Sequence, residues 1–216
     1  MNDREIILGR IRAALADRPD VEAPPVPEVW PETHPDRETM MRRFAEELDA
    51  VEGELHRCGS PDDARAKLAE LVDELECDRL GAVDRPLTHE LADNLSTAEV
   101  AWVDADWDGP AIGELEAALV ASDLLLADTG SCLVECPTAA ERMMCYLPPV
   151  CIVVTRAEAL REHLPAAWRE VAPRVSDPQR RGELVFITGP SRTADIEKIL
   201  ILGVHGPKRL IVLVVE

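Results

Sequence analysis

Asp128-Thr129-Gly130-Ser131 follows the apolar run Leu124–Ala127. That pattern marks the active-site strand of pepsin-like aspartic proteases, where two carboxylates about 3 Å apart share one proton. Only one copy occurs here, in a chain that alternates strands with helices, so Asp128 has no second carboxylate for that dyad. Two readings of the segment remain. It is a tight connection between buried strands, with Gly130 free to take a positive φ. Or the same turn also holds Asp128 and Thr129 at the mouth of a site at the strand ends, where α/β proteins bind ligands.

A second segment, Thr188-Gly189-Pro190-Ser191-Arg192-Thr193, follows the apolar stretch Leu184–Ile187. The pattern predicts a helix over 192–200, with Ser191 or Thr193 as N-cap and Asp195 in the first turn. Free backbone N–H groups there, together with the Arg192 fork, suit a carboxylate or phosphate. Capping alone also accounts for Ser191, Thr193 and Asp195. Neither a Walker loop nor the G-x-G-x-x-G dinucleotide fingerprint is present. His205, between two turn glycines in Gly203-Val204-His205-Gly206-Pro207, is the nearest candidate for proton transfer. A Ser191/Asp195/His205 triad lacks the G-x-S-x-G elbow that would support it. Arg142, in Glu135-Cys136-Pro137-Thr138-Ala139-Ala140-Glu141-Arg142, either leans toward the same pocket or is a helix-surface charge.

The elements that must position these residues follow from the apolar pattern. Residues 4–16 carry the stripe Ile7, Ile11, Ala14, Leu15 of an amphipathic helix. Residues 18–36 place six prolines in 19 residues, an extended arm. A helix is predicted from Arg37 to Cys58, and another opens at Ser60-Pro61-Asp62-Asp63 and runs to about Cys77. Short apolar runs then recur at 79–84, 100–104, 123–128, 131–136, 150–155, 183–189 and 209–216. Helices are predicted near 110–121, 139–146, 156–170 and 192–200. Several runs are apolar without alternation, as strands covered on both faces are. The expected organisation is an N-terminal helix and arm over 1–36, then an α/β domain with a mostly parallel sheet over 37–216.

Charge and cysteines exclude several functions. The net charge is −19, and residues 1–127 carry all of it, with 31 acidic and 12 basic side chains. Such a chain repels phosphate backbones, which argues against nucleic acid. The six cysteines include no C-x2-C pair, so neither a zinc nor an iron–sulfur motif is present. Reduced, buried thiols are expected. No apolar run approaches the 18 residues of a membrane span, and Met1–Arg12 lacks a secretory apolar core, so the expected location is the cytoplasm.

The blocks at 127–131, 141–154, 188–197 and 202–215 together resemble the LutC/YkgG branch of the LUD domain family, the lactate utilization protein C group. The resemblance spans most of the chain and is densest over 123–216. The family's DTGS loop matches Asp128–Ser131, with Cys132 where an aliphatic residue is more usual. The resemblance implies a three-layer α/β/α fold like the NagB/RpiA/CoA-transferase group. It also implies a subunit without an iron–sulfur cluster that works beside two iron–sulfur partners in oxidising L-lactate to pyruvate. The substrate would then be a small carboxylate held by Arg192 and the Thr188–Thr193 amides, with Thr129, Gly130, Gly189, Ser191 and Arg142 around it. His205 or Asp128 would stand by for proton transfer from the hydroxyl-bearing carbon. The alternative is an anion-binding regulatory or assembly module without chemistry. A CoA-transferase would need a nucleophilic glutamate in a Gly-rich loop, and no such loop surrounds Glu135.

Overall fold

The computed structural model describes residues 3–16, 30–176, 183–194, 200–202 and 206–216. The expectations placed on most of the proline-rich arm, on Asp195 and on His205 lie outside the described residues. The chain divides into two compact units, Met1–Pro31 and Glu32–Glu216. The first contains α1 (Asp3–Leu15), which has no buried residue and exposes Ile7, Ile11 and Leu15 at four-residue spacing.

In the second unit, six parallel strands form the main sheet. They are β1 (Glu54–Cys58), β2 (Arg79–Val83), β3 (Glu99–Val103), β4 (Ala117–Ala121), β7 (Val150–Arg156) and β12 (Arg209–Val215), in the order β1-β12-β7-β4-β2-β3. The two central strands show why their sequence is apolar throughout. Leu210, Val212 and Val214 of β12 join one core cluster, whereas Ile211, Leu213 and Val215 join another on the opposite face. Cys151 and Val153 of β7 divide from Ile152 and Val154 in the same way. The period-2 alternation thus fills two interiors.

One face of the sheet is covered by α3 (Pro61–Glu74) and α4 (Pro86–Ala92), through residues such as Leu68, Leu71 and Leu91. On the other lie α2 (Arg37–Ala50), the short α5 (Gly109–Gly113) and α6 (Ala139–Met144). A second sheet shares that face, with order β8-β5-β6-β9: β5 (Leu124–Leu126), β6 (Ser131–Cys136), β8 (Leu160–Arg161) and β9 (Glu183–Ile187). Its other side is packed by α7 (Leu164–Ser176) through Ala167 and Val171. Two more short strands, β10 (Arg192–Ala194) and β11 (Leu200–Leu202), pair antiparallel. The architecture is the expected three-layer α/β/α fold around a mostly parallel sheet.

Helix starts agree with the sequence signals. Ser60 accepts the Asp63 N–H at 3.1 Å, with Pro61 next to it, and Asp36 accepts the Thr39 N–H at 2.8 Å. Four helix expectations are corrected. The helix expected to reach Cys58 ends at Ala50: the Val51 and Gly53 N–H groups both turn back to the Leu48 carbonyl, Glu52 takes φ 65°, and β1 follows. Of 110–121, only Gly109–Gly113 is helical. Ala117–Ala121 is instead a strand between β2 and β7, where burial overrides the helix preference of alanine and leucine. The helix expected over 156–170 splits into a 3-10 turn (Ala157–Ala159), β8 and α7. The helix expected over 192–200 is replaced by β10 and β11, with Arg192 opposite Leu202 and Thr193 opposite Ile201. Ser191 and Thr193 therefore cap no helix, and the N–H groups at Arg192–Ala194 belong to a strand pair.

Candidate functional site

The Asp128–Ser131 segment is a tight turn between β5 and β6, which pair antiparallel with Leu126 opposite Ser131. Gly130 sits at φ 61°, and a Cβ there would come within 2.5 Å of the Leu48 backbone nitrogen. Gly189, just past β9, takes φ 84° and lies against Val51 in the same way, its would-be Cβ 2.9 Å from the Val51 carbonyl oxygen. Both turns therefore rest on the C-terminal end of α2, and only glycine permits that approach. This shared support brings Ser131 and Thr188 together.

Their hydroxyls form a chain. Ser131 Oγ donates to Thr129 Oγ1 at 2.8 Å and lies 2.7 Å from Thr188 Oγ1. A serine has one proton to give. With that proton on Thr129, Thr188 must be the donor to Ser131, and the chain runs from Thr188 through Ser131 to Thr129. Thr129 is exposed, so its own O–H is left to point outward.

Thr188 also lines a cleft of about 350 Å³, together with Gly189, Ser191, Tyr146, Phe186 and Pro207. The Ser191 N–H donates to the Pro207 carbonyl at 2.8 Å, and Gly206 packs closely on the Ser191 side chain. Phe186 and Tyr146 keep 45% and 38% of their surface exposed, so the cleft has an aromatic rim above a hydroxyl wall. A larger groove of about 620 Å³ runs beside edge strand β1 and α3. Its charges have partners: Lys67 pairs with Glu70, and Arg57 with Glu38 and Glu216. The smaller cleft is the better candidate because it gathers residues from both turns.

The cations stand differently from the sequence expectation. Arg192 lies 3.9 Å from the Glu52 carboxylate, a long, partly exposed pair that stabilises little. Arg142 is joined to Glu183 at the start of β9. Glu183, and after it Tyr146, hold the Arg142 guanidinium more firmly protonated than usual. Five residue steps of extended strand, roughly 16 Å, separate Glu183 from Thr188. Arg142 thus reaches the cleft only through the Tyr146 rim. Thr193 is placed in β10 opposite Ile201.

Asp128 donates its backbone N–H to the Glu162 carbonyl at 3.1 Å. Its Oδ1 is buried and has no hydrogen-bond partner among the described residues. Next to Glu162 is His163, only 4% exposed and absent from the sequence expectations. Its Nδ1 accepts the Ala166 N–H at 3.0 Å, capping α7, while its Nε2 is buried and unpartnered among the described residues. The Glu162 carboxylate accepts the Thr33 and His34 N–H groups at 3.0 and 3.2 Å, fixing that segment beside the turn. A helix drawn through 156–170 hides His163 in mid-helix. The available signal was His163-Leu164-Pro165, a polar cap with proline in the first turn.

The six cysteines are buried free thiols. Burial pushes Cys77 up to about 11 and raises Cys132 and Cys151 as well, which makes them poor nucleophiles. No helix among the described residues is long and apolar enough to cross a membrane.

Known proteins place this geometry. The family model for the LUD domain matches residues 41–215. A lactate utilization protein C of Bacillus pumilus (strain SAFR-032) is 32% identical over 99 residues, 45% of this chain and 41% of that protein. Another, of Halalkalibacterium halodurans, is 32% identical over 96 residues, 44% of this chain and 42% of that protein. The matched stretches thus span about two-fifths of these curated relatives. The crystal structure of a DUF162 family protein from Deinococcus radiodurans has the same fold, with a TM-score of 0.66 at 17% identity, covering 84% of this chain and 99% of that one. With the family model spanning the whole α/β body from α2 to β12, the chain belongs to the LUD domain family.

Proposed function

We propose that this protein takes part in lactate utilisation as a cytoplasmic subunit without an iron–sulfur cluster, binding L-lactate or pyruvate in the Thr188 cleft beside iron–sulfur partners that carry the electrons. Support comes from its relatives' names and from one observation on this chain: a directed chain of three hydroxyls, Thr188–Ser131–Thr129, on the wall of an aromatic-rimmed cleft. Hydroxyls and a loosely engaged arginine suit a small carboxylate. The Thr188 and Ser191 side chains offer donors without a fixed charge. Arg192 can exchange its long contact with Glu52 for a ligand carboxylate at small cost, since exposed pairs contribute about 0–1 kcal/mol. Binding is thereby moved from a helix N-terminus to the turn between β9 and β10. The oxidation needs an electron acceptor, which the partners would supply. This chain's share is holding the acid and excluding water from it.

The test is calorimetric titration of the purified chain with L-lactate and pyruvate, alongside Thr188→Val and Arg192→Ala. Each variant is expected to weaken binding roughly tenfold, the loss of one hydrogen bond or charge contact. In the assembled system, Arg192→Ala should lower lactate-dependent dye reduction. Full activity and unchanged affinity in both variants would remove the cleft from consideration.

A further inference from the structure

Two buried polar atoms beside the turn lack what buried polar atoms in folded proteins nearly always have, a hydrogen-bond partner. They are complementary. The Nδ1 of His163 accepts the Ala166 N–H, so in the neutral ring the proton sits on Nε2, and that N–H is the unpartnered atom. The Oδ1 of Asp128 is an unpartnered acceptor. The backbone fixes both in one place, because the Asp128 N–H is bound to the carbonyl of Glu162, the residue before His163. His163 is also held by its helix cap and by burial of 96% of its surface, so the donor cannot turn away without breaking the start of α7. Asp128 is half-buried and its neighbour Thr129 is exposed, which sets the pair just inside the surface turn.

One acceptor and one donor side by side match a single hydroxyl group, which donates one hydrogen bond and accepts another. We infer that Asp128 and His163 form a hydroxyl-binding pair, in which the ligand's O–H donates to Asp128 Oδ1 and its oxygen accepts from His163 Nε2–H. The ligand class is a small 2-hydroxy acid, and the pair distinguishes it from the same acid without the hydroxyl. This rests on the reading that the neighbouring cleft holds a small carboxylate.

The test compares L-lactate with propionate, which keeps the carboxylate and carries hydrogen in place of the hydroxyl. Calorimetry on the full chain should show lactate binding roughly tenfold tighter or more, the worth of one or two hydrogen bonds to a buried site. Asp128→Ala and His163→Asn should each bring lactate down to the affinity of propionate and leave propionate unchanged. His163→Asn is chosen because asparagine caps helices well, so its oxygen takes over the Ala166 N–H while the Nε2–H is lost. A midpoint of thermal unfolding close to that of the parent protein would show that the cap survives.

Equal affinity for the two acids in the parent protein overturns the pair, as does a preference that survives both substitutions. If both acids bind equally and that binding still falls in Thr188→Val, the carboxylate cleft stands and only the hydroxyl pair is wrong. If neither acid binds, both fall. A strong coupling between the two substitutions in ligand-free stability, with no effect on preference, would mean that Asp128 and His163 bond each other, and that also overturns the inference.

Discussion

The interior of the main sheet and the Asp128 turn treat buried polar groups in opposite ways. Around the central strands every buried hydroxyl is satisfied. Thr88 donates to the Val83 carbonyl at 2.6 Å and accepts the Arg85 N–H at 3.1 Å. Thr155 donates to the Ser122 carbonyl at 3.0 Å, and Ser122 Oγ lies 2.8 Å from the Leu124 carbonyl. At the turn, Asp128 Oδ1 and His163 Nε2 are buried without partners among the described residues. His56, on edge strand β1, shares that condition. Burial is the main cause that pulls its pKa below the ordinary histidine value and so keeps it neutral. Folding alone favours the first arrangement, because an unsatisfied buried group costs about 1–3 kcal/mol. The turn bears that cost where hydroxyl-bearing residues from two loops converge, which is where binding gains from groups held ready.

The sharpest way to test this contrast is to damage the well-satisfied region. Leu213 is fully buried among α3 and its neighbours in the main sheet. Leu213→Ala should cost about 2–5 kcal/mol by denaturant unfolding, through lost burial and the cavity left behind. Lactate affinity of the folded fraction should stay the same. A change in affinity would show that the sheet interior and the turn are one unit and would break the comparison.

A smaller effect is expected where a single hydrogen bond is removed. Thr88→Val keeps the shape and leaves the Arg85 N–H without its hydroxyl partner, so it should cost about 1–3 kcal/mol. Asp128→Ala takes away an oxygen that no described residue contacts, so ligand-free stability should hold or rise. If both substitutions destabilise equally, Asp128 is bonded in the folded protein and the two regions do not differ.

How far the sequence could be read follows the same division. The central strands were legible because burial on both faces demands continuous apolar runs, as in Val150–Thr155 and Leu210–Val215. Helix starts were legible where a cap and proline coincide, as at Ser60-Pro61. The turn itself was legible at Gly130, whose positive φ is what Asp-Thr-Gly-Ser suggests. Contacts made between distant segments were not. Nothing local announces that Glu54–Cys58 is a strand, since its mixed charges suit an edge strand and a helix equally. Ala117–Ala121 reads as helix because alanine and leucine favour helices, and only its place between β2 and β7 overrules them. Ser191-Arg192-Thr193 carries the composition of a cap, but its pairing is with Leu200–Leu202. The role of α2 in seating both glycine turns, and the nearness of His163 to Asp128, are products of topology that no spacing rule encodes.

The smallest predicted effect lies between the two regions, at the rim of the main sheet, where polar groups are satisfied but wet. Arg209, at the start of β12, binds the Glu54 carboxylate of β1 through Nε and Nη2, the latter at 2.8 Å, and reaches Glu74 at 3.0 Å. The Arg209 hydrogen bond holds the Glu54 carboxyl below the ordinary glutamate range. A carboxyl whose pKa is lower folded than unfolded contributes stability that is fully present above the unfolded value, and loses it as pH falls through the folded one. Glu54→Gln should therefore be slightly less stable than the parent between pH 5 and 8, by a constant margin. That margin should close as the pH drops below about 4, the region where free glutamate titrates. Urea midpoints of the two proteins across that range measure it. A margin that persists at the lowest pH would assign the contact to packing of the arginine stem over the strand pair, with charge irrelevant. A margin that widened on acidification would mean that Glu54 is destabilised by its ionised form, as only a poorly paired carboxylate is, and the rim would then belong with the Asp128 turn and not with the sheet.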